Sequence, residues 1–141
     1  MSKRIPPFEL YASLMEEIKL RVAFVNSVLA QGVIMPGQLA RECCRLQLRL
    51  ICEILAIGSL AVHDNTSDVK ALEKQWSANE IMPRLERLNP NFFPVACFHT
   101  RDAGGAINVI DISPKPLDKA TFLRLYGKCC AHRLIATTDS N

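Results

Sequence analysis

From Phe8 to Leu29 apolar side chains return at alternating steps of three and four: Phe8, Tyr11, Met15, Ile18, Val22, Val25 and Leu29. That period lays them along one side of an α-helix, with Glu16, Glu17, Lys19 and Arg21 off the stripe. Pro6 and Pro7 stand where a helix start tolerates a missing N–H, and Gln31-Gly32 supplies a C-terminal stop. After the Pro36-Gly37 turn a second helix is expected to about His63. Leu39, Cys43, Leu46, Leu50, Ile54, Ile57 and Ala61 make its main apolar face. Beyond Leu50 nearly every side of this helix is apolar, so other elements must enclose that half. The run Leu50–Val62 is 13 residues, broken by Glu53 and Ser59. A membrane span needs about 20, so a core helix is expected here and no membrane partner.

His63-Asp64-Asn65-Thr66-Ser67-Asp68 is a turn cluster, followed by a helix through Val69, Leu72 and Trp76. Ser77 and Glu80 have the spacing of a capping box for a further helix carrying Ile81, Leu85 and Leu88. Pro83 should kink that helix or confine its regular part. After Pro94 the period shortens to that of strands: Val95–Thr100 and Ala106–Ile112 flank the turn-forming loop Arg101–Gly105. This reads as a β-hairpin, and because an isolated hairpin is marginal it is expected to dock on the helices. Asp118 is a good N-cap for a last helix, with Leu117 stapled to Phe122 across it. The expected fold is mainly α: a bundle of four to five helices with a small C-terminal β-hairpin docked on it, α+β by strict count. One domain covers residues 1–136, with the bundle at 8–89, the hairpin at 94–112 and the final helix at 118–133. Residues 137–141 read as a frayed tail.

Composition adjusts this picture only slightly. A chain of 141 residues holds one domain, and 49% hydrophobic residues suffice for a core. Aromatics make up 6%, so that core is built mainly from aliphatic side chains. A net charge of +3 is mild, and proteins that grip nucleic acid usually carry a stronger or more clustered basic excess. Nucleic acid is therefore possible as a partner but not indicated. The segment Met1–Pro7 has no apolar stretch of the kind a secretory leader uses. The six cysteines are accordingly read as reduced thiols of a cytoplasmic protein.

Three constellations have chemical potential. Arg41, Arg45 and Arg49 are four apart on one helix face, with Glu53 a turn beyond and His63 at the helix end. Arginine forks suit phosphates, which makes this an anion or RNA-binding candidate; the plainer reading is a helix edge with internal ion pairs. Glu53 is the costly residue, since a carboxylate in that apolar run must be paired or exposed at a seam, and Arg49 is the obvious partner. The second constellation joins Cys97 and His99 on one strand face to Cys129 and His132 on one helix face, four ligands of the kind tetrahedral zinc takes. Buried cysteines and surface histidines account for the same residues, and no cofactor is expected. In the third, Cys129 or Cys130 with His132 would pair a thiol with a base.

Within residues 40–94, Arg49-x-x-x-Glu53 lies in an apolar helix and a short connection follows. Leu72 with a Lys-rich turn comes next, then Ile81-x-x-x-Leu85-x-x-Leu88 in a shorter helix. This pattern resembles HEPN-like helical domains. The resemblance implies a dimerising bundle and, in some members, a metal-independent RNase. Nuclease members carry an Arg followed four to six residues later by a His on one helix. Here Arg124 and His132 are eight apart, and Arg49 and His63 fourteen, so no nuclease residues carry over. The expected function is a non-enzymatic helical interaction or regulatory module, homodimeric through an apolar helix face or bound to a protein partner. The alternatives are an HEPN-like RNA-binding or RNA-processing protein and a zinc-stabilised small domain.

Overall fold

The structure, a computed structural model, describes residues 5–63 and 77–131. Among the described residues there are four helices and one hairpin: α1 (Pro7–Leu29), α2 (Gly37–His63), α3 (Ala78–Leu88), β1 (Cys97–Arg101), β2 (Ile107–Asp111) and α4 (Lys119–Cys130). The expected helical bundle with a small C-terminal hairpin is the fold observed. The helix expected through Val69, Leu72 and Trp76 lies outside the described residues, as does residue 132 onward.

α2 is the axis of the bundle and touches α1, α3 and α4. It divides as its composition foretells. No residue from Gly37 to Ile51 is buried, whereas Cys52–Ile54 and Ala56–Ala61 all are. By length and composition α2 could cross a membrane, yet half of its most apolar stretch lies buried inside the bundle. Around it close Ile81 and Leu85 of α3, Phe122 and Tyr126 of α4, and Phe92 from the connection after α3. Phe93 links two of these rings edge-on, at 6.3 Å from Phe92 and 5.6 Å from Phe122. Gly58 lets α1 approach α2 closely: a Cβ there would lie 3.2 Å from Met15 Cε and 3.3 Å from Tyr11 Cδ2.

α1 is rotated relative to its apolar stripe. Leu10 and Leu14 pack on the core and Val28 is buried, while the stripe residues Phe8 and Leu29 are 74% and 73% exposed. Arg21, which the period places off the stripe, instead points to α2: it donates to Gln47 Oε1 at 2.8 Å and pairs with Glu17. The helix ends in a Schellman motif, with Gly32 N bonded to Ser27 O at 2.8 Å and Gln31 N to Val28 O at 3.1 Å. Its left-handed residue is Gln31 (φ 57°), one position before the expected glycine.

One further expectation is corrected at the local level. Ser77 is the N-cap of α3, but its side chain makes no capping bond; the hydroxyl is turned instead to Tyr126. Pro83 lies inside α3 on its exposed side, and the helix continues across it to Leu88. Asp118 caps α4 as expected, accepting from Thr121 N at 2.7 Å.

The hairpin forms with the expected pairing but without the expected docking. β1 and β2 are antiparallel, with Phe98 opposite Ile110 and His99 opposite Val109. Asp102 Oδ1 ties the loop, accepting from Gly104 N at 2.9 Å and Ala106 N at 2.8 Å, and Gly105 takes the positive φ of 83° the turn needs. All ten strand residues are exposed, Phe98 to 65% and Val109 to 63%. The docking fails because both faces carry polar residues among the apolar ones: Thr100 and Asn108 on one, His99, Arg101 and Asp111 on the other.

Candidate functional site

The arginine row resolves into three unlike residues. Arg41, near the exposed start of α2, donates to Gln38 Oε1 at 2.8 Å, and Gln38 in turn bonds Glu42 at 2.6 Å. Arg45 is half-buried and lies close enough to Cys129 of α4 to favour that thiolate. Arg49 reaches one turn forward, its Nε donating to Glu53 Oε1 at 3.0 Å. Only Arg49 meets Glu53, and the carboxylate partner holds its guanidinium above its ordinary pKa.

Glu53 is 5% exposed, and a carboxylate buried to that degree needs partners. Besides Arg49 it accepts from the Tyr126 hydroxyl at 3.0 Å, on the same oxygen, Oε1. Burial is the main cause that pushes the Tyr126 phenol up, with Glu53 adding to it and the Ser77 hydroxyl partly offsetting. Among the described residues no buried side-chain polar atom lacks a partner. α2, α4 and the residue before α3 thus meet through one satisfied polar network. Sequence reasoning found its Arg49–Glu53 half; Tyr126 is separated by 73 residues and gave no local signal.

His63 does not join this cluster. It is exposed at the end of α2, ten residues past Glu53, which is about 15 Å along the helix axis. The thiols gather in the same seam. Cys52 is buried and pushed up to about 12, first by desolvation and then by the nearby Cys129 and Cys130 thiols. Cys129 is raised too, by burial above all, with Arg45 partly offsetting. Thiols in that condition are poor nucleophiles at neutral pH. His132 lies outside the described residues, so the Cys129–Cys130–His132 pairing does not arise among them.

Cys97 and His99 share one face of the exposed hairpin, while Cys129 sits in the seam between α2 and α4. Among the described residues no three His, Cys, Asp or Glu side chains come together as a metal site. The described part of the zinc set is therefore not assembled. The Glu53 cluster ties helices together through an acceptor, a cation and a phenol, with the Cys130 thiol beside Tyr126.

Of the exposed apolar side chains, sequence reasoning had Phe8 and Leu29 on the α1 stripe and missed Ile34. Phe8, Leu29 and Ile34 are 74%, 73% and 100% exposed. The signal for Phe8 and Leu29 was in the period itself, since a stripe of alternating three and four is a seam for a facing helix, and α2 takes its Tyr11 and Met15 but leaves its ends. No protein-family model, curated protein or solved structure matches this chain.

Proposed function

We propose that this chain is a helical interaction module that works as a homodimer, with its arginine, glutamate and cysteine clusters serving structure rather than catalysis. One observation carries the reading: the apolar stripe of α1 is only partly spent on the fold, with Tyr11 and Met15 packed at Gly58 and its two ends open. Phe8, Val22 and Leu29, seven or fourteen residues apart and so on one line of the helix, are all exposed, at 74%, 42% and 73%. Large apolar side chains clustered on one surface mark contact sites, and two-fold homodimers are the commonest assembly. The pairing of Arg49 Nε with Glu53 and of one Arg41 nitrogen with Gln38 supports this over an RNA-binding surface, because each arginine already serves a contact within α2. Cytoplasmic residence belongs to the same proposal and rests on the six free thiols, which suit a reducing compartment.

Sedimentation over a concentration series tests the reading. A reversible rise in mass above 15.7 kDa is expected; a single monomeric species up to high micromolar concentration defeats it.

A further inference from the structure

We infer that Cys52 of α2 and Cys129 of α4 are a modification site, joined by a disulfide when the chain meets a peroxide. The inference is independent of the homodimer reading and gives the thiol cluster a chemistry of its own.

The case begins with the two helix faces that meet. Phe122 and Tyr126 are the buried residues of α4, and Cys129 follows one turn later on the same side of the helix. On α2, Arg45, Arg49, Cys52 and Ala56 recur at steps of four, three and four, which is likewise one face. The bond from the Tyr126 hydroxyl to Glu53, at 3.0 Å, fixes where the faces cross. Cys52 and Ala56 pack in one core with Phe122 and Tyr126, and Cys129 lies near both Arg45 and Cys52. Small side chains at Cys52 and Ala56 let α4 sit close to α2, as a disulfide requires of its two Cα atoms.

The remaining thiols are worse placed. Cys43 and Cys44 stand at least two turns before Cys52 on the same helix, about 12 Å away or more and too far to bond it. Cys97 belongs to the exposed hairpin. Cys130 turns to the Tyr126 hydroxyl and acts on Cys52 less strongly than Cys129 does.

Access divides the roles within the pair. Cys52 is 2% exposed and closed to reagents in solution, so only a sulfur already lodged beside it can react with it. Cys129 is half-buried, open enough for a molecule as small as hydrogen peroxide, and Arg45 beside it favours the thiolate. That thiolate attacks one peroxide oxygen and the O–O bond breaks. Cys129 becomes a sulfenic acid, and the departing hydroxide takes a proton to form water. The Cys52 sulfur then attacks the sulfenic sulfur, the S–O bond breaks, and the hydroxide leaves with the Cys52 proton as a second water. Two thiols are oxidised and one peroxide is reduced to two waters. Burial keeps both thiols largely protonated at neutral pH, so the bond answers sustained oxidation rather than a brief pulse. In a reducing compartment it is transient.

The reduced full chain, at low micromolar concentration, is treated with hydrogen peroxide and its free thiols are blocked with N-ethylmaleimide. Unreduced digests are then read by mass spectrometry, alongside Cys130→Ser and Cys129→Ser proteins. A Cys52–Cys129 linked peptide is expected in the unmodified chain and in Cys130→Ser, and is expected to be absent from Cys129→Ser. The oxidised chain should melt about 5–15 °C higher, with no such rise in Cys129→Ser, and dithiothreitol should reverse it. Cys52 left as a free thiol in the folded, oxidised chain, or paired with any other cysteine, overturns the inference. So does a bond that Cys130→Ser abolishes, or sulfinic acid at Cys129 in place of the bond. Circular dichroism confirms that each protein keeps its helices, and none of these outcomes depends on the oligomeric state.

Discussion

Tyr126 gives its hydroxyl proton to Glu53 at 3.0 Å, joining α4 to α2 at the point where Arg49 also binds the carboxylate. Tyr126 and Glu53 are 3% and 5% exposed, so the bond is made away from water. Tyr126→Phe removes the donor and leaves the charge with Arg49 alone. Hydrogen bonds to charged groups contribute about 1.5–3 kcal/mol, and urea unfolding should report a loss in that range. A double-mutant cycle with Glu53→Leu, which removes the acceptor, isolates the coupling; additive effects would mean the bond is not formed.

Alkaline stability follows from the same seam. The folded pKa of Cys52 is pushed up to about 12 from an ordinary 9.0, and that of Tyr126 is raised. Between those values the unfolded chain has lost protons that the folded chain still holds, so stability falls as pH rises. The contribution of Cys52 is whole below pH 9 and is lost on the way to about 12. Thermal melts from pH 8 to 11 should show a steady decline beyond pH 9, reduced in Cys52→Ala relative to its own value at pH 8. On the acid side, Asp118 is held below its usual range by the Thr121 amide, so its cap on α4 weakens only as pH drops below about 4.

Thiol labelling separates the six cysteines by environment. Cys97 and Cys130 are exposed, Cys43, Cys44 and Cys129 half-buried, Cys52 buried. Two thiols should react rapidly with an aromatic disulfide reagent in the native state. Cys52 should react only at the rate of unfolding; rapid reaction of all six would contradict the packing of α2 on α4.

Two backbone positions are open to improvement. Gln31 holds a left-handed φ of 57° at the end of α1, where glycine has no Cβ penalty. Gln31→Gly should raise stability by about 1 kcal/mol. Gly127 lies in α4 with nothing within 4 Å of a Cβ built there, and Gly127→Ala should gain about 0.5–1 kcal/mol. A drop in melting temperature for either would refute the local geometry.

Much of the fold was legible in the chain because its helices announce themselves locally: the three-and-four period of α1, the enclosed half of α2, and the Asp118 cap. The rotation of α1 was not legible. Period alone marks an apolar stripe without saying how much of it a neighbour takes: Tyr11 and Met15 meet α2 at Gly58, while the Arg21–Gln47 bond rotates the helix so that Phe8 and Leu29 stay exposed. Ser77 illustrates the same limit, since its hydroxyl answers to Tyr126 rather than to the helix it opens. At the site, Arg49–Glu53 was readable as neighbours one turn apart, whereas the third member depended on how α4 crosses α2.

The central claim is that the exposed line on α1 is an interface between copies, and sedimentation velocity on paired proteins tests it most directly. The unmodified chain should shift with concentration toward twice 15.7 kDa, and a Phe8→Glu, Leu29→Glu variant should remain monomeric with its helices intact. An unmodified chain that stays at 15.7 kDa throughout, or a variant that associates equally well, would contradict it.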